Sequence, residues 1–69
     1  MPVFKIESVK PADEYIARHY ATCIGELRLP EWALSITDDV WSVIKSDPKS
    51  HLAIRFRQLK RVAEVRQIE

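Results

Sequence analysis

The sequence predicts a mostly helical α+β domain, in which one short N-terminal strand is followed by about three helices. Apolar and charged residues alternate between Val3 and Val9, which is the period of a strand with one covered face. Further along, apolar residues recur at intervals of three and four, the period of amphipathic helices. Residues typical of helix starts precede these stretches, at Pro11, at Ser35 or Thr37, and at Asp47.

The first helix is predicted from Pro11 to Ile24. Proline suits the first helical turn, and Asp13 and Glu14 complement the positive end of the helix dipole. Gly25, the only glycine in the chain, is the natural stop. The predicted buried stripe comprises Ile16, Tyr20, Cys23 and Leu27.

The stretch after Gly25 has two interpretations. Leu27 and Leu29 alternate with charged neighbours, which indicates either a short edge strand ended by Pro30 or an extended connector. Pro30 would then begin a helical turn over residues 31–34. The second helix follows a cap at Ser35 or Thr37 and ends by about Ser46.

The third helix is predicted from Asp47-Pro48 to near the C-terminus, with Asp47 as its cap. Its main apolar stripe comprises Leu52, Phe56, Leu59 and Ala63. A strand over residues 51–58 is the competing interpretation, since Leu52, Ile54 and Phe56 also alternate. We favour the helix, because residues 58–61 lack any residue typical of a turn.

On that predicted helix, Ile54, Val65 and Ile68 fall nearly opposite the main stripe. Two apolar stripes indicate burial on two sides, against the N-terminal strand or against a second copy. A chain of 69 residues has a thin core, and Cys23 is its only cysteine, so no disulfide can form within it. We therefore expect a single domain, residues 1–69, that tends to form a homodimer.

No pattern indicates catalysis, and we expect no enzyme activity, no cofactor and no metal. His19 and Cys23 lie four residues apart, but a zinc site needs four ligands and only His51 and carboxylates remain. We interpret this pair as a partly buried histidine beside a buried, inert thiol. A chain with a single glycine is also poorly suited to a glycine-rich phosphate-binding loop.

The N-terminal residues lack the apolar stretch of a signal peptide, and no run approaches the length of a transmembrane helix. With one unpaired cysteine, the chain is expected in the cytoplasm, with no membrane partner.

The function that the size and the lack of catalytic motifs favour is stoichiometric modulation or inhibition of a protein partner by steric occlusion. Small proteins of phages and other mobile elements commonly act in this way. The predicted contact residues are two aromatic anchors and three arginines at the rim: Trp32, Tyr15, Arg55, Arg57 and Arg61.

The alternative function is a dimeric DNA-binding transcriptional regulator that uses the basic C-terminal third. Arg55, Arg57, Lys60, Arg61 and Arg66 are concentrated there. The net charge of only +1 gives no strong overall attraction for nucleic acid, so this hypothesis ranks second.

Overall fold

The computed structural model describes residues 1–69 and contains four strands, three α-helices and a 3-10 turn at Pro11–Asp13. The strands are β1 (Val3–Glu7), β2 (Glu26–Arg28), β3 (Ala33–Ser35) and β4 (Glu64–Gln67). The helices are α1 (Glu14–Ile24), α2 (Asp38–Ser46) and α3 (His51–Val62).

The four strands form one antiparallel sheet in the order β2-β3-β1-β4. Helix α1 connects β1 to β2, and α2 with α3 connects β3 to β4, so two β-α-β units are interleaved. This is the split βαβ topology, with its second connection broken into two helices. The protein is thus an α+β protein with three α-helices, as the sequence predicts.

The predicted N-terminal strand is confirmed, but it is not the only strand. Phe4 and Ile6 are buried on one face of β1, as the alternation requires. β1 lies in the interior of the sheet and pairs with β3 on one side and β4 on the other. Its backbone groups are therefore satisfied within the chain, so β1 does not need a second copy.

The helices cover the face of the sheet that carries Phe4 and Ile6. Phe4 forms edge-to-face contacts with Trp41 of α2 and Phe56 of α3, at ring-centroid distances of 5.1 and 5.5 Å. Trp41 and Phe56 are themselves 5.4 Å apart. This aromatic cluster joins α2 and α3 to β1. Edge-to-face aromatic pairs stabilise a fold by more than the burial of their surface area alone.

Helix α1 packs against α3, and the residues that it buries completely are small and lie outside its predicted stripe. Ala17 and Ala21 are completely buried, whereas Tyr20 is half-buried and Cys23 is exposed. An alanine pair lets two helices come close together, and this displaces the larger residues to the edge of the contact. The prediction of a buried Cys23 was wrong.

The segment after α1 forms a hairpin of two short strands. The edge-strand interpretation is confirmed, because Leu27 of β2 lies opposite Leu34 of β3. The predicted helical turn at residues 31–34 was wrong, since Leu29–Trp32 form the turn and Ala33 begins β3. In a helical turn, the backbone N–H and C=O groups would bond within the segment. In the structure, those of β3 bond instead to β1 on one side and to β2 on the other.

Local cap signals place α2 and α3 correctly, with one shift. The Val40 N–H donates to Thr37 Oγ1 at 3.3 Å, which confirms Thr37 as the cap of α2. The cap of α3 is Ser50 rather than Asp47, because the Ala53 N–H donates to Ser50 Oγ at 3.1 Å. The strand alternative for residues 51–58 was wrong.

Helix α3 ends earlier than expected, and this removes the second apolar stripe. Ala63 is extended, and residues 64–67 form β4 along β1. Val65 lies opposite Ile6 and packs against the core, while Ile68 lies beyond the strand and is exposed. The two-stripe observation therefore no longer supports a homodimer.

None of the three helices is both long enough and apolar enough to cross a lipid bilayer.

Candidate interaction surfaces

The solvent-facing side of α1 carries the most exposed aromatic side chain of the protein. Tyr15 is 83% exposed, and it lines a shallow depression of about 270 Å³ together with Arg18, His19 and Thr22. Because Ala17 and Ala21 face the core, the residues on the opposite side of the helix must face solvent. We call these four residues the α1 surface. Tyrosine and arginine are the residue types enriched at the centres of protein–protein interfaces.

His19 and Cys23 lie side by side on this helix, with His19 Nε2 and Cys23 Sγ 3.8 Å apart. Both residues are exposed, whereas the sequence analysis expects a partly buried histidine beside a buried thiol. No group of three or more histidine, cysteine, aspartate or glutamate side chains converges anywhere in the molecule to hold a metal ion. The pair therefore contributes polar surface beside Tyr15.

Trp32, the second predicted anchor, lies in the turn between β2 and β3. Its side chain is half-buried and packs against the core, and its backbone has a φ of 57°. The Trp32 carbonyl accepts a hydrogen bond from the Ile6 N–H at 2.9 Å. Part of the indole ring is thus committed to the fold, and only the remainder is free to contact a partner.

The three predicted arginines lie on α3, in two different environments. Arg55 is half-buried, and its guanidinium donates to Gln58 Oε1 at 2.8 Å. Arg57 and Arg61 are exposed, lie one turn apart on the same side of the helix, and form no salt bridge. Lys60 lies over the Phe56 ring, with Nζ 5.5 Å from the ring centroid. Since α3 contains no acidic residue, the only charged side chains that it presents to solvent are basic.

The face of the sheet that the helices leave uncovered carries charges of both signs. We call it the open face. Strand alternation and the pairing register place these residues on it: Val3, Lys5, Glu7, Glu26, Arg28, Ala33, Ser35, Glu64 and Arg66. None of them is aromatic, whereas proteins that bind nucleic acid on a sheet face stack bases on aromatic side chains.

The five predicted contact residues do not form one site. Tyr15 is on α1, Trp32 is in the β2–β3 turn, and the three arginines are on α3. No surface depression is lined by more than one of the five. Within the set, only Arg57 and Arg61 share an exposed helix side.

Sequence reasoning missed Arg18, His19 and Thr22, and of the open face it predicted only the part on β1. The available signal was the pair Ala17 and Ala21, four residues apart on one side of α1. Had that pair been taken as the buried side, the α1 surface would have followed from helical geometry. The rest of the open face had no such signal, because the other three strands contain only three or four residues each.

Comparison with known proteins adds no relative: the chain matches no protein-family model, no curated protein and no solved structure.

Proposed function

We propose that this protein is a non-enzymatic binding protein, which modulates or inhibits a protein partner stoichiometrically by covering part of its surface. The observation that carries the proposal is the exposure of Tyr15 beside Arg18 and His19 on the α1 surface. Tyrosine offers a large contact area at a small entropic loss, and arginine adds hydrogen bonds at the rim. Trp32, Arg55, Arg57 and Arg61 remain predicted contacts, on the β2–β3 turn and on α3 rather than around Tyr15.

The test is capture of the partner from lysate with the tagged protein, with and without nuclease. We expect one protein to be recovered in near-equimolar amount, unaffected by nuclease, and lost with Tyr15→Ala. Lys49→Ala is the matched control, because Lys49 is an exposed residue outside α1. Equal recovery with the wild-type chain and Tyr15→Ala would contradict the α1 surface as the contact. Failure to recover any partner in equimolar amount would contradict the proposed function.

The second proposed function is DNA binding by a dimeric regulator, and the exclusively basic charge of α3 favours it. A helix that enters the major groove needs its contacts on one side, and Arg57 and Arg61 satisfy this requirement. Arg55 is engaged with Gln58 and contributes less. The expected result for this function is an affinity that falls steeply with salt, with a smaller slope for Arg57→Ala and Arg61→Ala. Binding that is insensitive to salt would rule it out.

The proposal has three further parts, which are a homodimer, a cytoplasmic location and an origin in a phage or another mobile element. An exposed free thiol at Cys23 fits a reducing compartment, where cysteines stay unpaired. The small hydrophobic core, with eleven buried apolar residues, fits a protein whose stability is supplemented by self-association.

A further inference from the structure

Strand β4 lies at one edge of the sheet, and its outer side has unpaired backbone groups. The Ile6 N–H donates to the carbonyl of Trp32 on the β3 side, so the backbone groups of Ile6 point away from β4. Val65 lies opposite Ile6, and in such a non-hydrogen-bonded antiparallel pair both residues direct their groups away from each other. The N–H and C=O of Val65 therefore point outward, and by alternation so do those of Gln67. Such an edge is a template for another strand.

The charges of β4 are poorly matched to its neighbour within the chain. Glu64 lies directly opposite Glu7, and Arg66 lies directly opposite Lys5. Like charges in directly opposed positions destabilise a sheet. One diagonal contact relieves this arrangement, since Arg66 Nε lies 2.8 Å from Glu7 Oε1. Glu64 has no salt-bridge partner at all.

We propose that β4 pairs antiparallel with β4 of a second copy, about a two-fold axis that passes beside Val65. In this register, Val65 lies opposite Val65 of the second copy, and the two residues exchange two backbone hydrogen bonds. Glu64 then lies opposite Arg66 of the second copy, on the open face. The two-fold axis generates a second, identical contact, between Arg66 of the first copy and Glu64 of the second copy. The charge pattern that is unfavourable inside one chain thus becomes complementary between two chains. The two sheets become one continuous sheet.

The other edge of the sheet carries the same type of triplet, Glu26-Leu27-Arg28, but fits this role less well. Its two charges already contact each other, with Arg28 Nε 3.4 Å from Glu26 Oε1. β2 is also shorter, with three residues rather than four. Its outer edge therefore offers fewer backbone groups and no unpaired charge for a second copy.

This pairing specifies the surface of the homodimer proposed above and rests on that proposal, whereas it does not depend on the protein partner. It is tested by sedimentation of the full chain over a range of concentrations at low salt. We expect a monomer–dimer equilibrium for the wild-type chain. Glu64→Arg and Arg66→Glu should each weaken it about tenfold, because each reverses two charge contacts per dimer.

Mixing the two variants makes the test independent of their individual stabilities. In the mixed dimer, the arginine introduced by Glu64→Arg in one chain would face the glutamate introduced by Arg66→Glu in the other. The native Arg66 of the first chain would face the native Glu64 of the second. Both contacts are then complementary, so the mixture should dimerise as tightly as the wild-type chain. Glu26→Arg is the matched control on the other edge, and it should leave dimerisation unchanged.

Two outcomes would overturn the pairing, and they differ in what else they overturn. A wild-type chain that stays monomeric at all concentrations would contradict both the homodimer and its surface. A dimer that is unaffected by Glu64→Arg, or a mixture that stays weak, would contradict the β4 surface alone and leave the homodimer standing.

Discussion

Glu64 lies directly opposite Glu7 in the ladder between β1 and β4, and no cation bonds to Glu64 within the chain. Two carboxylates held in this position repel each other across the open face of the sheet. The arrangement persists because β4 is held by backbone pairing and by the burial of its other face through Val65.

The isolated chain should therefore become more stable when the charge of Glu64 is reversed. In Glu64→Arg the new guanidinium faces Glu7, and we expect a gain of about 0.5 kcal/mol in the free energy of unfolding. The measurement is urea unfolding at low protein concentration and low salt. The gain should shrink at high salt, and Glu26→Arg should show no gain. A loss of stability would contradict the repulsion.

Gly25→Ala should destabilise the protein through a direct clash. A Cβ atom at this position would lie 2.3 Å from the Ser35 carbonyl oxygen, which belongs to the backbone of β3 and cannot move independently. We expect a loss of about 1–3 kcal/mol, which is typical of overpacking. Thermal unfolding measures it, with Thr22→Ala as a control at an exposed site of α1. A Gly25→Ala protein as stable as the control would show that β3 can move away from residue 25 without loss of stability, and it would contradict the clash.

Ser50→Ala should destabilise α3 by about 1 kcal/mol, because it removes the side chain that caps the helix. Ser50 Oγ also donates to the Asp47 carbonyl at 2.8 Å, so the same substitution loosens the preceding turn. Asp47→Ala is the informative comparison, since the Asp47 side chain accepts only a 3.3 Å bond from the Lys49 N–H. Chemical denaturation of both variants should rank Ser50→Ala as the more damaging. If Asp47→Ala were the more damaging substitution, Asp47 rather than Ser50 would be the cap of α3.

The Cys23 thiol should react with a thiol reagent in the folded protein nearly as fast as in the unfolded chain. Cys23 is exposed on α1, so no unfolding step has to precede the reaction. The measurement compares labelling rates in buffer and in denaturant at the same pH, and we expect them to agree within a few-fold. His19→Ala tests whether the neighbouring imidazole influences the rate. Strong protection of the thiol in buffer would indicate that this side of α1 is covered, for example by a second copy.

Short-range signals were sufficient for several elements of the fold. Alternation between Phe4 and Ile6 predicted β1, and Thr37 predicted the start of α2, because each signal acts within a few residues. The same holds for the end of α1 at Gly25, although the structure supplies a different reason for that glycine. Its backbone is extended rather than left-handed, and the close approach of β3 excludes a side chain.

The candidate site was predicted less well than the fold. Tyr15 was predicted as an aromatic anchor, and it is exposed as a contact residue needs to be. Trp32 was predicted as the second aromatic anchor, yet its half-buried side chain packs against the core, and its carbonyl is paired with the Ile6 N–H of β1. Exposure depends on what packs above a residue, and the local sequence does not contain that information.

By itself, the sequence determined that this chain is an α+β protein with an N-terminal strand and three helices. Only the tertiary structure decided that Ala17 and Ala21 face the core and that α3 stops at Val62. Apolar spacing favoured the larger side chains of α1 and a longer α3. In the structure, α1 instead packs closely on α3 with its alanines buried. Residues 64–67 pair with the side of β1 that β3 leaves unpaired, so α3 ends before them. Short strands form where their backbone N–H and C=O groups can bond to a distant segment of the chain. The periodicity of apolar residues in a local stretch does not contain this information.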